Sequence, residues 1–183
     1  MTRRHVSMIL AGLFALVVTG CAGPDLTAVP TTASAPYACD GVPRASVELI
    51  VGGPVEVSNA TDDWGAEYDT FLCDLTGEHG LVTVDETSVV QSPWGRTEED
   101  VLAVMGSSSA SAPLDLDAPG SGFTWGDASA GWVCDGRVIT VYAAGDPVPG
   151  RDRTADVTHL LTSMLPWACH GEDVPPATDD PTD

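Results

Sequence analysis

Four histidines and five cysteines are the residues best suited to chemistry, and their spacing decides which chemistry is open to them. Cys39, Cys73, Cys134 and Cys169 lie far apart in the chain. A zinc knuckle or a dithiol exchange site needs two thiols a few residues apart, so neither a metal nor redox chemistry is expected of them. The histidines form no better constellation: His79 falls in a Gly-rich turn, His159 on the polar side of a helical stretch, and His170 beside Cys169. A hydrolase needs a nucleophile, a base and an orienting acid. No Gly-x-Ser-x-Gly, Ser-x-x-Lys or His-Glu-x-x-His occurs, and Ser107 to Ser111 reads as a flexible connector. Asp62-Asp63 and Asp115-Leu116-Asp117 offer calcium's preferred oxygens but lack the spacing and turn glycine of a calcium loop, so they read as solvated acids. No catalytic residue, metal or cofactor is assigned, and an extracytoplasmic hydrolase with an unrecognised site is kept as the alternative. Trp64, Trp94 and Trp125 remain as possible ligand contacts through their ring faces.

The fifth cysteine belongs to a different pattern. Residues 1–20 carry Arg3 and Arg4, an apolar run from Met8 to Val18, and small residues before Cys21. That run is too short to span a bilayer, which takes about 20 apolar residues, and it reads as an export signal. Val18-Thr19-Gly20-Cys21 resembles the lipobox of bacterial lipoproteins, which implies removal of residues 1–20 and acylation of Cys21. Residues 22–38, AGPDLTAVPTTASAPYA, are rich in Pro, Thr and Ala and read as a flexible tether. Fully extended, it would reach about 50 Å at about 3.1 Å per residue. The expected location is the outer face of the cell membrane, with the lipid as the contact.

Charge supports lipid over a basic patch as the means of attachment. The formal net charge is −20, with 27 acidic residues and no lysine among seven basic ones. Nucleic acid requires a basic stripe, which is absent, so it is excluded as a partner. Anionic headgroups would repel such a surface, and solubility is the simplest role of the acidity. The closing segment 172–183, EDVPPATDDPTD, reads as a disordered acidic tail.

Between tether and tail, residues 39–171 suffice for one domain. In an exported chain, four cysteines argue for two disulfides. The favoured pairing is Cys39–Cys73 with Cys134–Cys169, each closing a loop of about 35 residues and contributing roughly 4 kcal/mol. Cys73–Cys134 with Cys39–Cys169 stays open.

Position is set by a pattern that occurs twice. WGAEYDTFLCD, from Trp64, returns 61 residues later as WGDASAGWVCD, from Trp125. In each copy a helix is expected first, PRASVELIV opened by Pro43 and stopped by Gly52-Gly53, or TEEDVLAVM capped by Thr97 and ended by Gly106. Two strands follow. The first holds the cysteine on the face of its aromatic neighbour (Phe71 with Cys73, Trp132 with Cys134), with Leu72 and Val133 opposite, so both strands are expected to be covered on both faces. Asp135-Gly136 marks the second hairpin turn. The pseudo-repeats run over about 39–90 and 97–145, and a closing helix over 153–165 ends at Pro166. The fold expected is α+β: an antiparallel sheet of two pseudo-repeated hairpins, one face covered by about three helices.

This layout resembles small actinobacterial lipoproteins built on domains of unknown function. The resemblance implies no reaction. With no catalytic constellation in the chain, the function expected is a non-catalytic ligand-binding or envelope-accessory module, with a small molecule or an envelope protein complex as partner.

Overall fold

Strict alternation builds the first hairpin. In β4 (Phe71–Gly77) the side chains of Phe71, Cys73 and Leu75 are fully buried while Leu72 and Asp74 are half-buried, the period of a strand packed on one face. Its partner β5 (Gly80–Ser88) buries Val82, Val84 and Glu86 on the same inner face, and Gly77 pairs with Gly80 across the turn. The second hairpin, β8 (Ser129–Cys134) and β9 (Arg137–Ala144), turns on Asp135 and Gly136, whose φ angles of 47° and 72° are the pair of left-handed residues a two-residue turn requires. The chain is described by a computed structural model over residues 23–61, 64 and 70–178. The expected export signal, Cys21 and Asp62-Asp63 lie outside these residues.

The hairpins join through β5 and β9, antiparallel, with Val84 facing Val141 near the middle of the ladder. Outer strands extend each side: β3 (Glu56–Ala60) pairs with β4, while β7 (Ser121–Trp125) pairs with β8 and the short β6 (Ala112–Leu114) with β7. The seven-stranded order is therefore β3-β4-β5-β9-β8-β7-β6. Two shorter strands, β1 (Tyr37–Cys39) and β2 (Val42–Pro43), form a separate ribbon.

Among the described residues, three helices complete the α+β domain. The first, α1 (Arg44–Val51), follows Pro43 and ends on Gly52 in the left-handed conformation, as the sequence predicts. In α2 (Glu98–Met105), the Thr97 hydroxyl accepts the Asp100 N–H at 3.1 Å, and three acids occupy the positive end of the helix. The third, α3 (Arg153–Cys169), buries Val157, Leu160, Leu161, Met164 and Leu165. It runs one turn beyond the expected stop, with Pro166 inside it. Proline there removes one helical N–H and costs roughly 3 kcal/mol in a helix interior. Cys169, joined to β8, holds that last turn in place.

Both disulfides take the favoured pairing. Cys39–Cys73 bridges Cα atoms 6.3 Å apart and fastens the β1–β2 ribbon to the inner face of β4. Cys134–Cys169 bridges 5.6 Å between the end of β8 and the end of α3.

Helices were expected on one face, and they occupy two. The inner core gathers α1 and α3 against Phe71, Leu75, Val84, Trp132, Ile139 and Val141. A smaller outer core sets Val101 and Met105 of α2 against Val133 and Val138. So β8 is buried along its whole length, as expected, whereas no helix among the described residues lies on the outer face of β4, and Leu72 is half-buried.

The two ends of the domain also depart from expectation. Within the expected tether, Val29 is 2% exposed, its carbonyl lies 2.9 Å from His159 Nδ1, and the Arg151 guanidinium donates to the carbonyls of Asp25 and Thr27. Arg151 is itself fixed by Asp156 in a buried ion pair, so it offers donors at no further ordering cost. Within the expected tail, Gly41 N–H donates to Pro175 O at 2.7 Å and Thr178 N–H to Tyr37 O at 3.0 Å. Proline-rich segments lose little entropy on docking, and an extended backbone beside an open ribbon finds ready partners.

Candidate functional site

Trp125 ends β7, and cross-strand register places Phe123 and Trp125 on the outer face beside Gly131 and Ser129 of β8. Gly131 is needed there. A Cβ on it would stand 2.9 Å from the Trp125 ring and 2.9 Å from the end of Met105, closer than packed carbons approach. The missing side chain lets the indole and Met105 lie down on the strand.

Trp94 arrives from the loop between β5 and α2. Buried Val89 and Ser92 anchor that loop, the Ser92 hydroxyl accepts the Trp94 N–H at 3.2 Å, and the Arg96 guanidinium donates to the Val90 carbonyl. The indoles of Trp94 and Trp125 meet edge to face, centroids 6.0 Å apart and planes at 78°. This is a favourable aromatic geometry, worth about 1 kcal/mol beyond burial.

Two cavities flank Trp94. One, of about 210 Å³, is lined by Trp94, Trp125, Met105, Val104 and Ser108. The other, of about 280 Å³, lies over the uncovered strands and is lined by Thr70, Asp85, Thr87, Gln91, Trp94 and Thr140. The register explains the second set: Asp85 of β5 faces Thr140 of β9 and Leu72 of β4, so their side chains share the outer face. One row along, Thr83 donates to Asp74 at 2.6 Å.

Burial pushes the Asp85 carboxyl up to about 6, helped by the negative charges of Glu86 and Asp74. Glu86 points the opposite way, into the inner face, where it is paired with Arg137. Among the described residues, no hydrogen-bond donor is directed at the Asp85 carboxylate.

Of the three tryptophans singled out in the sequence, the structure brings two together and separates the third. Trp64 stacks on Phe71 at 4.2 Å, and its Nε1–H donates to Asp40 O at 2.7 Å. It caps the inner core near Cys39–Cys73, although the repeated motif makes it the counterpart of Trp125. Asp85, Thr87, Gln91 and Thr140 were missed by the sequence reading. The polar alternation Thr83, Asp85, Thr87 along β5 was the available signal.

Other candidates stand apart. His79, His159 and His170 occupy a turn, the middle of α3 and its C-cap; among the described residues none pairs with a serine, aspartate or glutamate. Asp115 and Asp117 are exposed, and no group of three or more His, Cys, Asp or Glu among the described residues could hold a metal ion. No described helix is long and apolar enough to cross a membrane. No protein-family model, curated protein or solved structure matches the chain.

Proposed function

We propose that this chain is an extracytoplasmic binding module, held at the membrane by lipid on Cys21, that takes a small-molecule ligand non-covalently over Trp94 and Trp125. The observation that carries the reading is the edge-to-face pair of indoles opening onto cavities on both sides. Binding sites are typically concave, aromatic-lined and furnished with a few polar groups, and Asp85, Gln91 and Thr140 supply those here. The lipobox-like Val18 to Cys21 supports the anchor. With Asp25 bonded to Arg151, only residues 22–24 separate Cys21 from the folded body. A lipid on Cys21 would therefore hold the α3 N-terminal end of the domain within roughly 14 Å of the bilayer.

Two experiments test these statements. Titrating the full-length chain with fractionated small molecules from the cell envelope and medium, while following tryptophan emission, is expected to give saturable quenching that Trp94→Ala removes; no quenching by any fraction would refute the binding reading. Cys21→Ala is expected to move the protein from the membrane fraction to the soluble one, and unchanged sedimentation would refute the anchor. An envelope-protein partner is the second reading, favoured by Val90 and Val104, 55% and 45% exposed on the segments that flank the aromatic pair.

A further inference from the structure

The cavity over the uncovered strands combines an indole, a carboxylate and hydroxyls, with no basic side chain among the described residues that line it. Four considerations bear on what would fill it. A carboxylate with no donor directed at it, among the described residues, presents its full charge to whatever enters. A second carboxylate, Asp74, lies diagonally across the β4–β5 register on the same face. An indole attracts cations electrostatically, most strongly where water is excluded. The chain's net charge of −20 also raises the local concentration of any cation.

We infer that the pocket between Trp94 and Asp85 seats a small organic cation, an ammonium group packed on the indole and balanced by the Asp85 carboxylate, with Thr87, Gln91 and Thr140 available for a polar appendage. This rests on the proposed binding role and names the ligand class for the same site. A neutral saccharide could also stack on the indole and bond to the hydroxyls, but it would leave the acid's charge unbalanced. Among the described residues, the charged groups around Asp85 are few. Asp74 stands on β4, Glu86 is turned inward against Arg137, the Tyr142 phenol lies on β9, and Arg96 at the end of the loop is bonded to Val90.

The test uses choline, which carries a fixed positive charge, and 3,3-dimethylbutan-1-ol, its neutral isostere, each titrated into the full-length chain and followed by tryptophan emission and calorimetry. Choline is expected to bind about tenfold or more tighter than the isostere, the scale of one desolvated cation–indole or ion-pair contact. Asp85→Asn should abolish that preference while its melting curve shows a folded chain, Trp94→Ala should remove binding of both probes, and Asp74→Asn should weaken choline about two- to threefold through charge alone. Because choline itself does not titrate, its affinity should rise from pH 5 to 7.5 as Asp85 ionises. Equal affinity for the two probes, full choline affinity in Asp85→Asn, or binding of methyl β-D-glucopyranoside without choline would each overturn the assignment. The last result would leave the binding reading standing, since that reading fails only when no fraction binds.

Discussion

The two hairpins share a sheet, a disulfide each and a repeated sequence motif, yet one is closed on both faces and the other on one. Around β8 and β9, α3 covers the inner face and α2 the outer, so Trp132 and Val133, adjacent in sequence, are both buried. Around β4 and β5, α1 joins α3 on the inner face, and no helix among the described residues covers the outer one. Helices that precede equivalent hairpins thus fall on opposite sides of the sheet. The repeat is also out of step with the strands. From Cys73 to Cys134 is 61 positions, but from the turn residue Glu78 to the turn residue Asp135 is 57. A four-residue slip keeps every side chain on its face while moving it along the strand, so Cys73 lies mid-strand and Cys134 at the turn. The proposed binding face lies at the seam between the closed half and the open one, where Trp94 reaches across.

That contrast makes quantitative predictions. Removing a whole disulfide should have the largest effect. The double variants Cys39→Ala/Cys73→Ala and Cys134→Ala/Cys169→Ala are each expected to lose about 4 kcal/mol in denaturant melts. Only the second should also expose the amides of 167–169 to fast hydrogen exchange, because Pro166 weakens that turn. Next, Met105→Ala on the closed half is expected to cost about 3 kcal/mol, whereas Leu72→Ala on the open half should cost under about 1 kcal/mol. Equal losses would mean the open face is covered after all.

Asp85→Asn should act in the other direction. The Asp85 carboxyl sits at about 6 in the folded chain, above its value of about 3.9 unfolded, so the native state favours the proton and loses stability as pH rises through that window. Replacing it should therefore stabilise the domain at pH 7.5, by about 1 kcal/mol after allowing for solvent screening, and by little at pH 4. A gain that is the same at both pH values would place the effect elsewhere. The smallest change is expected from Trp94→Ala, a loss of about 1 kcal/mol in melting, since the ring is half-buried and its chief partner is Trp125.

Much of this architecture was legible in the chain because it depends on neighbours in sequence. Thr97 caps α2 through its own next turn, Gly52 stops α1 by accepting a left-handed backbone, and Asp135-Gly136 turns β8 into β9. The cysteine pairing was legible only as a preference for two loops of about 35 residues, with Cys73–Cys134 and Cys39–Cys169 left open, and the structure takes the favoured pairs. Trp64 and Trp125 were not separable from the motif alone, since the same dipeptide after an outer strand says nothing about which face the indole will meet. Asp85 was invisible for a similar reason. Its neighbours Leu72, Thr140 and Trp94 come from β4, β9 and a loop, and only register assembles them.

The sequence by itself determined the helices and the two central hairpins, their caps and turns and the acidic, lysine-free composition, and it favoured one cysteine pairing, all of them short-range or compositional properties. Tertiary structure alone decided that α2 crosses to the outer face, that residues 25–29 and 174–178 dock on the body, that α3 continues through Pro166, and that Trp94 meets Trp125 beside Asp85. Those outcomes depend on which apolar stripe finds which uncovered strand, a competition among distant surfaces whose free energies no local pattern encodes.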